Sequence, residues 1–420
     1  METHTYKFIP KAAIQHGKKV KPYQSGGKRW IPLLVLGFVG VAVVCMIWVL
    51  SSKKEFKQTI MRQKAMQRVD EDDQKNRIFV SIASYRDPEC GKTINSLYTN
   101  ADHPFAIDVG VCQQNSASDE DCIAVYESVA RAWSPMVYTD QIGVIRVPHE
   151  EATGPCWARD QIESKLYEGQ PYFLQIDSHM RFCKGWDTFL THELLATGDD
   201  RAILTGYPPE KDLSSTFNLE YQTATFLKPR FGDEIRFPVF EGQSVSGIPM
   251  KPFPTLGWSG CFSFSRGELH KIVPYLRNVS YLFFGEEFTM GCLYHMFGYN
   301  MYAPTKMPCV TTFDRSYRHT FWEIQKKDRR DIEKQSVNYI YNLLGFVYDA
   351  EKKSLKSNNS GPVVDSAGRT VNSWLHVLGV DIEKGTITPH GRAGVSQQPR
   401  EDEILTKYGS NTHFLKIISF

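Results

Sequence analysis

A long apolar run lies near the start of the chain. Residues 31–50 contain twenty positions without a charged side chain, and Lys28, Arg29, Lys53 and Lys54 flank them. A helix of that length spans roughly 30 Å, which matches the hydrocarbon layer of a bilayer. The run is longer than the apolar core of a signal peptide and follows thirty other residues. We therefore expect one membrane-spanning helix, and neither a cleaved signal peptide nor a buried core helix.

The segment after this run is strongly polar. Residues 51–77 carry thirteen charged side chains. Apolar positions are few there and only loosely follow a helical spacing, so the segment cannot bury a core. We expect a solvated stem between the membrane helix and the folded body.

Short apolar runs then alternate with segments of helical spacing. The predicted strands are residues 77–85, 105–112, 143–147, 172–176 and 202–207. The predicted helices are residues 88–101, 155–168 and 186–196. This alternation predicts an α/β fold with a mostly parallel sheet and helices on both faces. Ligands in such folds bind at the carboxyl ends of the strands.

The later part of the body is less regular. Residues 208–254 hold seven prolines and no clear period, which indicates an inserted loop region. A strand at 258–265 and a helix at 285–297 follow, and a charged helix is expected near 322–344. The pattern divides the chain into a tail, a membrane helix, a stem, a folded domain and a carboxyl-terminal extension of uncertain fold: residues 1–30, 31–50, 51–77, 78–320 and 321–420.

Composition and charge narrow the classes of function. Of 420 residues, 41% are hydrophobic and 23% are charged, which is typical of a globular protein. The formal net charge of +2 gives no reason to expect a nucleic acid partner. The positive excess is local, because residues 1–30 hold seven Lys or Arg and one acid.

Cysteines and glycosylation sequons indicate on which side of the membrane the folded body lies. Eight of the nine cysteines lie in the body, and this even number permits four disulfides. Sequons begin at Asn278 and Asn358. The positive charges on the two sides of the membrane helix are balanced and do not fix its orientation. Together, the cysteines and the sequons favour a lumenal body on a short cytoplasmic tail.

Candidate chemistry lies at the end of the predicted strand 172–176. Asp177 and His179 follow it, and the two-residue period of a strand points both to one side. A carboxylate oxygen and an imidazole nitrogen can share a divalent cation, and this donor pair suits manganese better than magnesium. An ordinary surface pair is the alternative. Arg159, on the preceding predicted helix, is available to a phosphate.

Four blocks of the sequence carry a resemblance to a known family. The blocks are ASYRDPECGKTINSLYTNADHPFAIDVGVCQQN, GPCWARDQIESKLYEGQPYFLQIDSHMRFCKGWD, GWSGCFSFS and FFGEEFTMGCLYHMFGYNMYAPT. They are similar to polypeptide N-acetylglucosaminyltransferases, which build α-linked N-acetylglucosamine on Thr, Ser or hydroxyproline, and the block around Asp177 also resembles mucin-type polypeptide N-acetylgalactosaminyltransferases. The resemblance implies a GT-A fold, a UDP-sugar donor, a divalent metal and retention of anomeric configuration.

The resemblance also implies which residues bind the nucleotide. Ser84, Arg86 and Asp87, after the first strand, would border it. Arg159 would approach the uridine diphosphate. The implied donor is UDP-GlcNAc, with Mn²⁺ or another divalent cation as cofactor.

The same resemblance implies the metal ligands and the acidic residues of the site. Asp177 would contact metal and ribose, and His179 would bind metal. Glu286 and Glu287 would lie near the sugar and acceptor as catalytic residues. Successive helical residues diverge by about 100°, so at most one of these two glutamates faces the sugar. Alternatively, both only complement the amino terminus of a helix.

One position departs from the family pattern. Family members supply a third metal ligand, a His, before an Arg-rich segment, and this chain has Thr311 or Thr312 there. Asp314 or His319 would then substitute, or water and diphosphate would complete the coordination, or activity would be impaired. We take His319 as the candidate third ligand.

The sequence therefore predicts a Golgi type II membrane glycosyltransferase with a lumenal catalytic body. It would transfer N-acetylglucosamine to Thr or Ser of a polypeptide without a covalent glycosyl intermediate. The alternatives are transfer from another donor such as UDP-GalNAc, a metal-dependent phosphodiester or nucleotide hydrolase, and a membrane-tethered binding protein with a degenerate site.

Overall fold

The computed structural model describes residues 74–134, 136–214, 217–231, 237–245, 247–323, 328–349, 354–357 and 368–394. The predicted tail, membrane helix and most of the stem lie outside these residues. Among the residues that are described, no helix has both the length and the apolar character needed to cross a bilayer.

Strands and helices alternate along the first half of the described body. The strands are β1 Ile78–Tyr85, β2 Ile107–Asn115, β3 Ile142–Pro148, β4 Tyr172–Asp177, β5 Met180–Phe182, β6 Ala202–Thr205, β7 Thr225–Arg230, β8 Val239–Ser244, β9 Phe253–Pro254, β10 Phe262–Arg266, β11 Asn300–Ala303, β12 Cys309–Thr311, β13 Phe346–Asp349, β14 Ser354–Ser357, β15 Val380–Asp381 and β16 Thr386–Ile387. The helices are α1 Cys90–Asn100, α2 Cys122–Trp133, α3 Pro155–Leu166, α4 Trp186–Ala196, α5 Glu268–Ile272, α6 Glu286–Met296, α7 Arg329–Leu344, α8 Val371–Leu378 and α9 Pro389–Ala393.

The main sheet has eight strands in the spatial order β3, β2, β1, β4, β10, β6, β11, β9. The first four are parallel to one another. Strand β10 runs antiparallel between β4 and β6, and β6 is parallel to β11. Strand β9 closes the far edge in the antiparallel direction. The sheet is therefore mostly parallel and flanked by helices, which confirms the predicted α/β class.

Strand β1 shows why helices cover both faces of the sheet. Val80 and Ile82 pack in a core with Leu97 of α1 and Trp186 of α4. Phe79, whose side chain points the other way, packs in a second core with residues of α3, including Ile162. The sequence of a strand that is buried on both faces is a nearly continuous apolar run, as it is in β1.

Three parts of the structure differ from the sequence-based expectations. Helix α2 had not been predicted, and its amino terminus is capped by the Asp121 side chain, which accepts from the backbone N–H groups of Ile123 and Ala124. Residues 208–254, expected to be an inserted loop region, contain the antiparallel hairpin β7–β8 and the edge strand β9. The eight body cysteines are all free thiols, so the permitted disulfides are not formed.

The extension beyond residue 320, whose fold had been left uncertain, contains the helix expected near 322–344, observed as α7, and shares a core with α6. Trp374 of α8 lies in the same apolar cluster as Trp258 and Tyr294. His295 of α6 is hydrogen bonded through Nε2 to the Ser373 hydroxyl at 2.8 Å. A Cβ atom at Gly291 would lie only 3.1 Å from the Trp374 ring, so the missing side chain lets the two helices approach.

Candidate active site

The carboxyl ends of β1 and β4 open into a cleft of about 320 Å³. These strands are parallel neighbours, with Ala83 opposite Asp177. The chain leaves β4 at Asp177 and passes through Ser178 and His179 before β5, and all three residues line the cleft. The predicted Asp-x-His motif therefore lies at the edge of the sheet where ligands bind in such folds.

His179 is held from behind by a second carboxylate. Its Nδ1 lies 2.8 Å from Oδ2 of Asp87, and its Nε2 lies 3.8 Å from Oδ2 of Asp177. The Ser178 hydroxyl donates a hydrogen bond to Oδ2 of Asp87 at 2.7 Å, and Nε of Arg318 lies 3.4 Å from the same oxygen. Burial opposes ionisation of Asp87, but His179, Arg318 and Ser178 outweigh it and lower the pKa of Asp87 to about 2.

The donor atoms of this arrangement, a carboxylate oxygen and an imidazole nitrogen, are suited to a metal ion. A carboxylate that binds one imidazole nitrogen fixes the ring and leaves the other nitrogen for a metal. Here the free side of the ring, Nε2, faces the carboxylate of Asp177. The described residues contain no group of three or more His, Cys, Asp or Glu side chains placed to hold a metal ion.

The candidates for the third ligand lie elsewhere. His319 Nδ1 lies 2.7 Å from Glu323 Oε2, and the His319 side chain is 61% exposed. Asp314 accepts hydrogen bonds from Ser316 in its own turn. Thr311, on β12, donates its hydroxyl to the carbonyl of His179 at 3.2 Å. The structure does not bring His319 to the Asp-x-His pair, so its role as a ligand finds no support here.

Arg159 connects the motif to the acidic helix. Its Nη2 donates to Oδ1 of Asp177 at 3.1 Å, and its Nη1 donates to Oε1 of Glu286. The residue is 5% exposed. A Cβ atom at Gly260 would lie 2.9 Å from Arg159 Nη1, so this glycine leaves room for the guanidinium. Arg159 lines the cleft as expected, but contact with a diphosphate stays a prediction.

The two glutamates at the start of α6 point to different partners. Glu286 is 4% exposed and also accepts from the Tyr275 hydroxyl at 3.1 Å. Glu287 accepts from the Tyr207 hydroxyl through Oε2 and from the Gly260 backbone N–H through Oε1, the latter at 3.0 Å. Burial is the largest influence on Glu287 and raises its pKa to about 7. Both glutamates line the cleft.

The residues predicted to border the nucleotide lie behind the cleft wall. Ser84 is fully buried, and Arg86 forms a bidentate pair with Asp119 at 2.7 and 2.9 Å. Asp87 supports His179 and is itself buried. On this side the cleft is lined by Tyr85 and Gln114. Nucleotide contacts of Ser84, Arg86 and Asp87 therefore stay predictions.

A set of exposed aromatic rings at the cleft, which we call the aromatic rim, had not been assigned a role. Phe283 packs edge-on against Phe284 and Trp322, with centroids 5.2 and 5.1 Å apart. Phe284 is 62% and Trp322 is 44% exposed. The adjacent Phe283 and Phe284, directly before the acidic pair, were the available sequence signal. The contacts of Tyr207 and Tyr275 with the glutamates had no such signal.

A cleft that lies at the carboxyl ends of parallel strands and is lined by carboxylate, imidazole and guanidinium groups is typical of an α/β protein that binds its ligand at the sheet edge. The family model described as Glycosyltransferase (GlcNAc) matches residues 77–135 and 126–384. These matches cover more than half of the chain, so the chain belongs to this family of glycosyltransferases. No curated protein matches the sequence.

Several solved structures match parts of the chain at low sequence identity. GalNAc-T7 with UDP, GalNAc and Mn²⁺ has 10% identity and a TM-score of 0.48 over 71% of this chain and 56% of that chain. The mannosyltransferase PcManGT from Pyrobaculum calidifontis, with GDP-Man and Mn²⁺, has 14% identity and a TM-score of 0.36 over 64% and 70%. S. aureus TarS 1–349 with UDP-GlcNAc has 12% identity and a TM-score of 0.36 over 63% and 73%. The chain thus matches little more than half the length of GalNAc-T7.

Proposed function

We propose that this glycosyltransferase moves N-acetylglucosamine from UDP-GlcNAc to Thr or Ser hydroxyls of a polypeptide, with retention of configuration and with Mn²⁺ as cofactor. The observation that carries the proposal is the Asp177 and His179 pair, held by Asp87 at the edge of the sheet. In a glycosyltransferase, a cation held there would offset the negative charge that develops on the departing diphosphate.

The partners of the two glutamates favour direct transfer over a covalent glycosyl intermediate. A nucleophilic carboxylate needs an oxygen that is free to approach the anomeric carbon. Glu286 is 4% exposed and is held through Oε1 by both Arg159 and Tyr275, and each oxygen of Glu287 has its own donor. We infer that Glu287 orients a hydroxyl of the sugar or acceptor, that Glu286 holds Arg159, and that a diphosphate oxygen takes the acceptor proton.

The aromatic rim supports a polypeptide acceptor. Exposed rings of Phe283, Phe284 and Trp322 stand beside the glutamates and line the same cleft. Such rings offer apolar contact area at a low cost in side-chain entropy, which suits apolar side chains next to an acceptor hydroxyl. The proposed location, a Golgi membrane with a lumenal body, rests on the apolar run at 31–50 and the sequons.

The test is a transfer assay with the purified full chain in detergent. UDP-GlcNAc, UDP-GalNAc and UDP-glucose are each offered with Thr-containing peptides, in MnCl₂ or in EDTA, and UDP release and peptide mass are measured. We expect transfer from UDP-GlcNAc that EDTA abolishes. NMR of the product should show an α linkage, and mass spectrometry should find no glycosyl adduct on either glutamate.

Two variants make this test specific. Asp177→Asn keeps the shape but removes the charge, so transfer should fall by orders of magnitude. Asp200→Asn is the matched control, because its side chain is 96% exposed and it lies outside the cleft lining. Transfer by Asp177→Asn at the wild-type rate and in EDTA would remove the metal from the mechanism. Faster transfer from UDP-GalNAc than from UDP-GlcNAc would show that the proposed donor is wrong. The absence of transfer from any donor would favour a binding protein with a degenerate site.

A further inference from the structure

A buried, hydrogen-bonded pair of side chains lies behind the site, away from the cleft lining. Glu163 of α3 and His270 of α5 are 9% and 6% exposed, and Glu163 Oε2 lies 2.8 Å from His270 Nδ1. The His270 ring stacks on Phe173 of β4, with centroids 3.6 Å apart. The pair therefore fixes α5 against both α3 and the sheet.

The other oxygen of Glu163 holds the backbone that carries Tyr275. Glu163 Oε1 accepts from the Tyr275 N–H at 3.0 Å. Tyr275 is 3% exposed, and its hydroxyl donates to Glu286 Oε1 at 3.1 Å. Because both ends of Tyr275 are bound to carboxylates, the position of its hydroxyl follows the position of Glu163.

The hydrogen bonds continue from Glu286 to the metal-compatible pair. Arg159 binds Glu286 through Nη1 and Oδ1 of Asp177 through Nη2. With Oδ1 occupied, Oδ2 of Asp177 is the oxygen that faces Nε2 of His179. The orientation of the Asp177 carboxylate is therefore set by Arg159.

We propose that Tyr275, held by Glu163, is a positioning residue that sets the Asp177 carboxylate for cation binding through Glu286 and Arg159. The inference rests on the metal site of the proposed function and extends it to residues that do not touch a ligand. Carboxylates and hydrogen bonds behind metal ligands typically change metal affinity by about 10- to 100-fold. Tyr275 acts through two intermediate side chains, so we expect an effect at the lower end.

The test measures Mn²⁺ affinity directly, by EPR titration of the free ion in the presence of the full chain. Tyr275→Phe removes one hydroxyl, and we expect about tenfold weaker Mn²⁺ binding. Tyr126→Phe is the matched control, since Tyr126 is likewise buried and its hydroxyl accepts a hydrogen bond, from the N–H of Tyr138 at 2.9 Å. The control should lose comparable stability to urea and keep wild-type Mn²⁺ affinity.

A double-mutant cycle distinguishes an effect on the position of Asp177 from a general loss of packing. Glu163→Ala should also weaken Mn²⁺ binding, and combining it with Tyr275→Phe should add little, because both act along one path. Glu163→Gln keeps an oxygen that can accept from the Tyr275 N–H. Its affinity for Mn²⁺ should therefore be closer to that of the wild type than to that of Glu163→Ala.

The outcomes distinguish this inference from the proposed function. Wild-type Mn²⁺ affinity in Tyr275→Phe overturns it, and so does a loss that Tyr126→Phe shares or one that adds fully to Glu163→Ala. A wild-type protein that binds no Mn²⁺ refutes the metal site and the inference together. Weaker Mn²⁺ binding in Tyr275→Phe, with no transfer from UDP-GlcNAc by the wild type, supports the inference and refutes only the donor or acceptor.

Discussion

The raised pKa of Glu287 predicts a specific pH dependence of stability. Its pKa rises from 4.5 to about 7 in the folded protein because of burial. The folded state therefore holds a proton on Glu287 between these two pH values that the unfolded state has released. The contribution of this proton to the free energy of unfolding is therefore fully present below pH 4.5, and it is lost as the pH rises through about 7.

The magnitude follows from the size of the shift. A difference of about 2.5 pKa units, at 1.36 kcal/mol each, gives about 3 kcal/mol over the whole range. Most of this, about 2 to 3 kcal/mol, falls between pH 5 and pH 8. Other groups titrate in this range as well, so the measured quantity is the difference between wild type and a variant that cannot titrate at this position.

Glu287→Gln provides that comparison. The free energy of unfolding in urea is measured from pH 5 to pH 8 for both proteins. The wild type should lose about 2 to 3 kcal/mol more than the variant across this range. Glu220→Gln makes the same change on an exposed side chain and should follow the wild type. Parallel pH curves for the wild type and Glu287→Gln would refute the reasoning, because the burial of Glu287 would then have no energetic consequence.

Three further variants test other parts of the structure. Asp87→Asn should weaken Mn²⁺ binding by about 10- to 100-fold in a calorimetric titration, because the amide no longer fixes the His179 ring as a carboxylate does. Gly260→Ala should cost about 1 to 3 kcal/mol in urea unfolding and lower UDP release, since its Cβ would displace the buried Arg159 guanidinium from its bonds to Asp177 and Glu286. Trp374→Ala should cost about 3 to 5 kcal/mol, measured the same way, because Trp374 is 1% exposed in the core beneath α6.

The parts of the fold that the sequence predicted are those with strong local signals. Helix α4 was predicted at its observed bounds, Trp186–Ala196, because Gly185 and the apolar spacing mark its start and its buried face. Strand β4 was predicted to within one residue, because both of its faces are buried and its sequence is a continuous apolar run.

The elements that were missed begin or end with weak signals. Helix α2 follows a polar stretch, and its Asp121 cap was the one available indication. The hairpin β7–β8 contains Pro229, which lowers the strand propensity of β7. Helix α8 starts with a capping box formed by Thr370 and Ser373, which lacks the acidic residue that makes this motif recognisable in a sequence.

The site was predictable only where it is local in sequence. Asp177 and His179 are two residues apart at a strand end, so the strand period alone places them together. The bond from Asp87 to His179 spans 92 residues, and the bond from Arg159 to Glu286 spans 127 residues. Pairings over such separations depend on the topology of the sheet, which the sequence pattern does not specify.

The packing of α8 on α6 has a consequence for biosynthesis. The hydrogen bond between His295 and Ser373 joins residues 78 positions apart. At the usual rate of synthesis of roughly 5–20 residues per second, the ribosome needs about 4 to 16 s to make the intervening chain. During that interval the helix that carries Glu286 and Glu287 exists without its covering tryptophan. We expect the nascent enzyme to expose apolar surface there and to depend on chaperones until α8 has emerged and packed on α6.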